Sequence, residues 1–339
     1  MLDCRHMLNM TGEAGILQFS YSDKPDPGSG YTLDDNARAL IVALHMENTY
    51  EYAQRYSRYL SLAQQTNGSW SNILLNGHYY STFDSEDSIG RAILACSLAV
   101  DGPWPDITQN SLVILQKQLP QVLSFRSPRA VAYILIALCQ GQVPLSDKQR
   151  LSFISNLLDK LINCYSICNG PNWHWFENYL TYCNGILPQA MFAVYSATGD
   201  KKALKTGHDS LNFLNSVLFK QDYLNIIGNQ GWLPRGGQAA GFDQQPVDAA
   251  STAFANLEAY RAIGEVEYLE LALLAYQWYR GRNIHGISLY DHDTGGCYDA
   301  LTPDGVNLNQ GAEAVISLLL TNILMKNFIS QDVDVDLTC

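Results

Sequence analysis

Apolar residues recur along this chain at helical spacing and almost never alternate as they would in a strand. "NARALIVAL" (36–44), "GRAILACSLA" (90–99) and "PRAVAYILIAL" (128–138) each open on a small or turn-forming residue, continue with Arg-Ala and run into an apolar helix. "ILPQAMFAVYSATGD" (186–200), "PVDAASTAFANLEAY" (246–260) and "NQGAEAVISLLLTNILM" (309–325) start differently but are equally apolar. A helix apolar around most of its circumference must be buried on several sides. Between these lie one-faced helices over 51–65, 106–119, 147–166, 200–219 and 266–281; the first carries Tyr52, Tyr56, Tyr59 and Leu60 at helical spacing. Strand-like alternation is confined to pieces such as "ISLYDHD" (287–293). The pattern predicts an all-α protein.

Six buried helices alternating with five or six one-faced ones predict a closed double ring, the (α/α)6 barrel. It is expected as a single domain over 1–339, with 1–30 an irregular lead-in and 329–339 a flexible tail. An open solenoid of helical pairs is the competing arrangement, and its end repeats need polar caps. Closure is favoured by where the polar clusters fall. "LDDNAR" (33–38), "DSEDSIGR" (84–91), "SFRSPR" (124–129), "WHWFENYLTYCNG" (173–185), "GFDQQPVD" (241–248) and "GCYDALTPDGVNLNQGAE" (296–313) precede the buried helices almost every time. In a ring, those helix starts meet at one mouth.

Composition narrows the partners. With 47% apolar and 11% aromatic residues the chain holds a large core, and a net charge of −12 repels phosphate backbones, which excludes nucleic acid as a natural partner. No stretch is apolar for the length of a membrane span, and the first residues lack a signal-peptide pattern, so a reducing, cytoplasmic setting is expected. Cys96 and Cys139 fall in apolar helices and read as buried thiols; Cys164 and Cys168 lack the partners of a metal set. No metal or organic cofactor is implied, and no pattern specifies an oligomeric state.

One acidic helix start is a cap: an Asp there accepts bonds from free N–H groups. Six starts carrying carboxylates, amides, arginines and tryptophans look like the lining of a cleft. On this reading Asp34 caps and Asp35 faces the mouth. Aromatic faces beside amides and carboxylates suit a sugar, whose C–H face stacks while its hydroxyls need donors and acceptors. The 218–245 loop, longer than an ordinary helix connection, delivers Trp232 and Arg235. Glycoside cleavage uses two carboxyl groups, one protonated and one ionised. Asp84, Asp243 and Asp248 sit where capping suffices, and Glu86 has Arg91 as an expected partner. Asp35, Glu177 and Glu313 are harder to explain structurally; Glu313 falls inside an otherwise apolar helix. The alternative for such a Glu is a buried pair with an Arg. His174 and His292 would be the pair of a sugar epimerase, or two separate surface histidines.

With these clusters in view, the chain resembles the six-hairpin (α/α)6-barrel glycosidase-like proteins, and among them a bacterial group loosely described as glycosyltransferase- or glycosidase-related. The residues that carry the resemblance are "GYTLDDNARAL", "EDSIGRA", "SPRAVAY", "WFENYLTYCNG", "GNQGW", "FDQQPVDA" and "GGCYDAL…NLNQGAEA". The group tends to have His where this chain has Phe19, and Ser where it has Ala314. The resemblance implies a carbohydrate-active enzyme, a glycoside hydrolase acting on an oligosaccharide or glycan, with inversion carried over by fold analogy. Its expected catalytic residues are Asp35, Glu177 and Glu313. Arg38, Arg91, Trp175, Tyr182, Trp232, Gln245, Asp299 and Asn309 are expected to hold the sugar. A non-catalytic glycan-binding or transferase-associated module, a sugar epimerase and a phosphorylase stand as alternatives.

Overall fold

The computed structural model describes residues 2–81 and 85–331; Asp84 and most of the tail expected over 329–339 lie outside them. Among the described residues the chain runs through α1 (Arg5–Asn9), α2 (Leu33–Leu44), α3 (Tyr50–Ala63), α4 (Glu86–Ala99), α5 (Pro105–Gln118) and α6 (Pro128–Gln140). It continues through α7 (Asp147–Cys168), α8 (Ile186–Thr198), α9 (Lys201–Leu218), α10 (Pro246–Ile263), α11 (Val266–Trp278) and α12 (Ala312–Gln331). The even-numbered helices pack each on the next, and α12 returns to α2, so the inner ring closes. The odd-numbered helices α3 to α11 lie outside, each on the inner helix before it, while the short α1 packs on α12. This is the (α/α)6 barrel, in one domain.

Local chemistry sets these helices. Thr32, Ser85 and Ser127 cap α2, α4 and α6 with their hydroxyls. Pro128 and Pro246 occupy the first turns of α6 and α10, where no N–H is needed. Gly199 and Gly264 adopt left-handed conformations that end α8 and α10 and permit two-residue turns into the outer helices. At Gly185, ahead of α8, a Cβ would collide with the Ser251 carbonyl of α10, so glycine sets that close approach of inner helices.

Connections from inner to outer helices are short: 45–49, 100–104, 141–146, 199–200 and 264–265. Those from outer to inner helices are long: 64–85, 119–127, 169–185, 219–245 and 279–311. All elaboration therefore gathers at the end where the inner helices start. Small antiparallel pairings stiffen it, such as Tyr31–Thr32 on Ile73–Leu75, and Tyr179–Leu180 on Leu233–Pro234. Tyr56, Tyr59 and Leu60 bury the apolar face of α3, as the spacing predicts. Cys96 is a buried thiol, whereas Cys139, expected buried, is partly exposed. Among the described residues no helix is long and apolar enough to cross a membrane.

Candidate active site

The starts of α2, α10 and α12, with loop residues, enclose a polar cavity of about 280 Å³. Asp34, Asp35, Arg38, Gln245, Asp299 and Glu313 line it, joined by Gln18, Phe19, Asn229, Asp243 and Asn307. Arg38 is its hub. The Nη2 atom of this buried guanidinium donates to Asp35 Oδ1 at 2.8 Å, to Glu313 Oε2 at 3.0 Å and to Asp34 Oδ2 at 3.3 Å. Arg91 adds a second cation, 3.5 Å from Asp34 Oδ2, while its Nε donates to Tyr133 Oη at 3.2 Å.

The carboxyl groups are in unlike environments. Burial opposes the charge of Asp34, but Arg38 and Arg91 outweigh it and hold this group below the usual carboxylate range. Asp35 goes the other way: burial, then the neighbouring charge of Asp34, raises it. Asp299 is pushed up to about 6, mainly by burial and further by the charge of Glu313, against the 2.7 Å bond its Oδ1 accepts from Gly311 N. Glu313 is the most open of the three carboxylates on Arg38, its side chain 41% exposed.

Several expectations are corrected by this geometry. The α2 cap is Thr32, not Asp34; the Thr32 hydroxyl accepts from Asp35 N and donates to Asp35 Oδ2 at 2.6 Å. Glu86 does not pair with Arg91. Its Oε2 accepts from Arg126 N and Ser127 N, at 2.7 and 2.6 Å, ahead of α6. Asp243 accepts from Gln230 Nε2 at 3.2 Å and lines the cavity. Asp248, on α10, is no cap: its Oδ1 accepts from Cys183 N, just ahead of the neighbouring α8, at 2.7 Å.

Other expected residues are divided from this cavity. Glu177 lies on the far side of the ring, where its Oε2 accepts from Arg129 Nη1 at 2.7 Å. Arg129 also donates to Tyr182 O, Thr181 and Asn184, so Glu177 neutralises a buried guanidinium. The Tyr182 hydroxyl donates to Asp87, and its ring lies 6.3 Å from that of Trp232. Trp175 is fully buried against Phe176 and Phe213, so its ring offers a sugar no surface. Asn309 braces the loop: its Oδ1 accepts from Ser22 N and its carbonyl from Asp299 N, at 2.9 and 2.8 Å. Arg235 is used on the Cys168 carbonyl at 2.8 Å. The long loop instead brings Asn229 and Asp243 to the cavity. Loop residues such as Phe19, Asn229 and Asn307 carry no periodicity, and only their place beside the acidic segments hinted at a role.

No histidine is among the residues that line this cavity. His174 sits in a surface groove with Asn172 and His208, and His292 meets the Tyr290 ring edge to face. Among the described residues no three His, Cys, Asp or Glu side chains converge as a metal-holding group.

Asp248 makes a test of buried charge. Burial pushes it up to about 8, and its Oδ2 has no hydrogen-bond partner, which suits a neutral carboxyl. The unfolded chain releases this proton near the ordinary aspartate value of 3.8, while the folded chain keeps it to about 8. Stability is therefore lost as pH rises between those values, at up to about 1.4 kcal/mol per unit. Asp248→Asn is expected to flatten that slope in urea titrations between pH 4 and 8. An unchanged slope would place the ionised form in the fold.

No family model matches the chain, and no curated protein matches it by sequence. Solved structures do. Cellobiose 2-epimerase from Bacillus thermoamylovorans B4167 superposes with a TM-score of 0.72 at 11% identity, over 94% of this chain and 95% of its own. A D-mannose isomerase gives 0.69 at 14%, over 96% of each chain. The GH76A alpha-1,6-mannanase from Salegentibacter sp. HEL1_6 gives 0.63 at 12%, over 96% and 97%. At these identities the likeness is one of fold, shared by six-hairpin barrels that carry different sugar chemistries.

Proposed function

We propose that this protein is a glycoside hydrolase that cleaves an uncharged oligosaccharide in the cavity around Arg38. The observation that carries this reading is the split of carboxyl environments within one cavity. Asp299 keeps a proton up to about pH 6, while Glu313 is open and held by Arg38. Unlike groups facing one space are the acid and base of glycosidic cleavage. Asp299 is the general acid that protonates the leaving oxygen. Glu313 draws the proton from an attacking water, the inverting course. Asp34 and Asp35 hold Arg38 in place, and Glu177 does the same for Arg129.

The alternatives fit less well. Epimerisation by facing histidines has no such pair lining the cavity. Five carboxyl groups against one lining guanidinium disfavour inorganic phosphate and sugar nucleotides, which argues against phosphorolysis and nucleotide-dependent transfer. A screen of defined oligosaccharides, with and without phosphate, tests the reading by product anomer. Inverted product without phosphate is expected. Because the acid works only when protonated, kcat should fall as pH rises through about 6, the value to which Asp299 is raised. Binding without turnover on every substrate would favour a glycan-binding module instead.

A further inference from the structure

Resting on that reading, we propose that Phe19 and Tyr21 form an aromatic track leading out of the cavity, so that the substrate is a chain of sugars and not a single one. Phe19 is the one aromatic side chain among the residues that line the cavity, and it is 53% exposed. A large apolar ring left in water beside carboxylates and amides offers what a sugar ring's C–H face needs. Of the two tryptophans expected to supply that face, Trp175 is in the core and Trp232 lies beside Tyr182, outside this lining.

The backbone fixes this arrangement. Phe19 N donates to Ser29 Oγ at 3.1 Å, and Phe19 O accepts from Asp26 N at 2.9 Å. On either side, Gln18 O accepts from Ala312 N at 3.0 Å, and Ser20 Oγ accepts from Gln310 N at 2.8 Å. The segment is thus stitched to the start of α12, which carries Glu313. Ser20 is buried, so the extended backbone turns Phe19 and Tyr21 to the same open side, roughly 7 Å apart along the chain. Tyr21 is 71% exposed. A sugar on Phe19 lies at the rim of the cavity, and the next units continue over Tyr21.

The test uses Phe19→Ala, Tyr21→Ala and Phe19→Trp with a graded length series of the oligosaccharide that the wild type cleaves. For each Ala variant, KM should rise by about tenfold on the longest substrate and by less on each shorter one, with Phe19→Trp close to wild type. Both rings are exposed, so melting temperatures should match and exclude misfolding as the cause. A loss equal at all lengths, or no loss, overturns the track while leaving hydrolysis in place. A wild type that neither binds nor cleaves any oligosaccharide overturns the hydrolase reading, and the track with it.

Discussion

Replacing Glu313 by Gln is expected to lower turnover by about a thousandfold, within the range for a general base removed from its site. The fold should be retained. Glu313 is one of three carboxylates on Arg38 and the most exposed of them, so its loss leaves that guanidinium on Asp34 and Asp35, at a cost of about 1 kcal/mol or less. Glu177→Gln is the informative contrast. Its carboxylate faces buried Arg129, so that substitution should cost stability, by about 1–3 kcal/mol, more than turnover. Paired kcat and urea measurements on both variants separate the roles. Equal losses of turnover would return Glu177 to the chemistry, and no loss in Glu313→Gln would remove Glu313 from it.

Arg38→Met should have the largest effect on the fold. It removes the one hydrogen-bonded cation that Asp35 and Glu313 share with Asp34, and it does so in a buried setting. Leaving such charges uncompensated costs about 3–5 kcal/mol. The sign with pH follows from the same contacts. Without Arg38, Asp34 and Asp35 lose a partner that favours their charged forms, so their protonation becomes easier and the deficit should shrink as pH falls from 7 to 5. Urea denaturation at both values checks this. A loss below about 1 kcal/mol at pH 7, or one that does not shrink at pH 5, would show the network to be weakly coupled.

The ring itself was legible because burial on several sides leaves a mark that one-sided burial does not. Segments such as 128–138 and 186–200 are apolar on faces that an outer helix would keep polar, and they became α6 and α8. The repeated Arg-Ala placed Arg38, Arg91 and Arg129 near the starts of three inner helices. What periodicity cannot carry is pairing between one unit of the ring and the next. Nothing local in "WFENY" tells that Glu177 meets Arg129, or that Trp175 turns into the core. Glu313 stood out because a carboxylate in an apolar segment needs a partner; it falls in the first turn of α12 rather than inside the helix, and Arg38 is its partner. Asp243 and Asp248 sat in segments that resemble caps, and only the assembled mouth separates the cavity residue from the one buried against Cys183.

The claim on which the rest depends is that one basin, ringed by the starts of α2, α10 and α12, is where a sugar is cut. A crystal structure of the Glu313→Gln variant with an uncleaved oligosaccharide addresses it directly. The account predicts a glycosidic oxygen within hydrogen-bond reach of Asp299 and a sugar ring over Phe19. A sugar seated instead beside Glu177 and Arg129, with the Asp299 cavity empty, would contradict it.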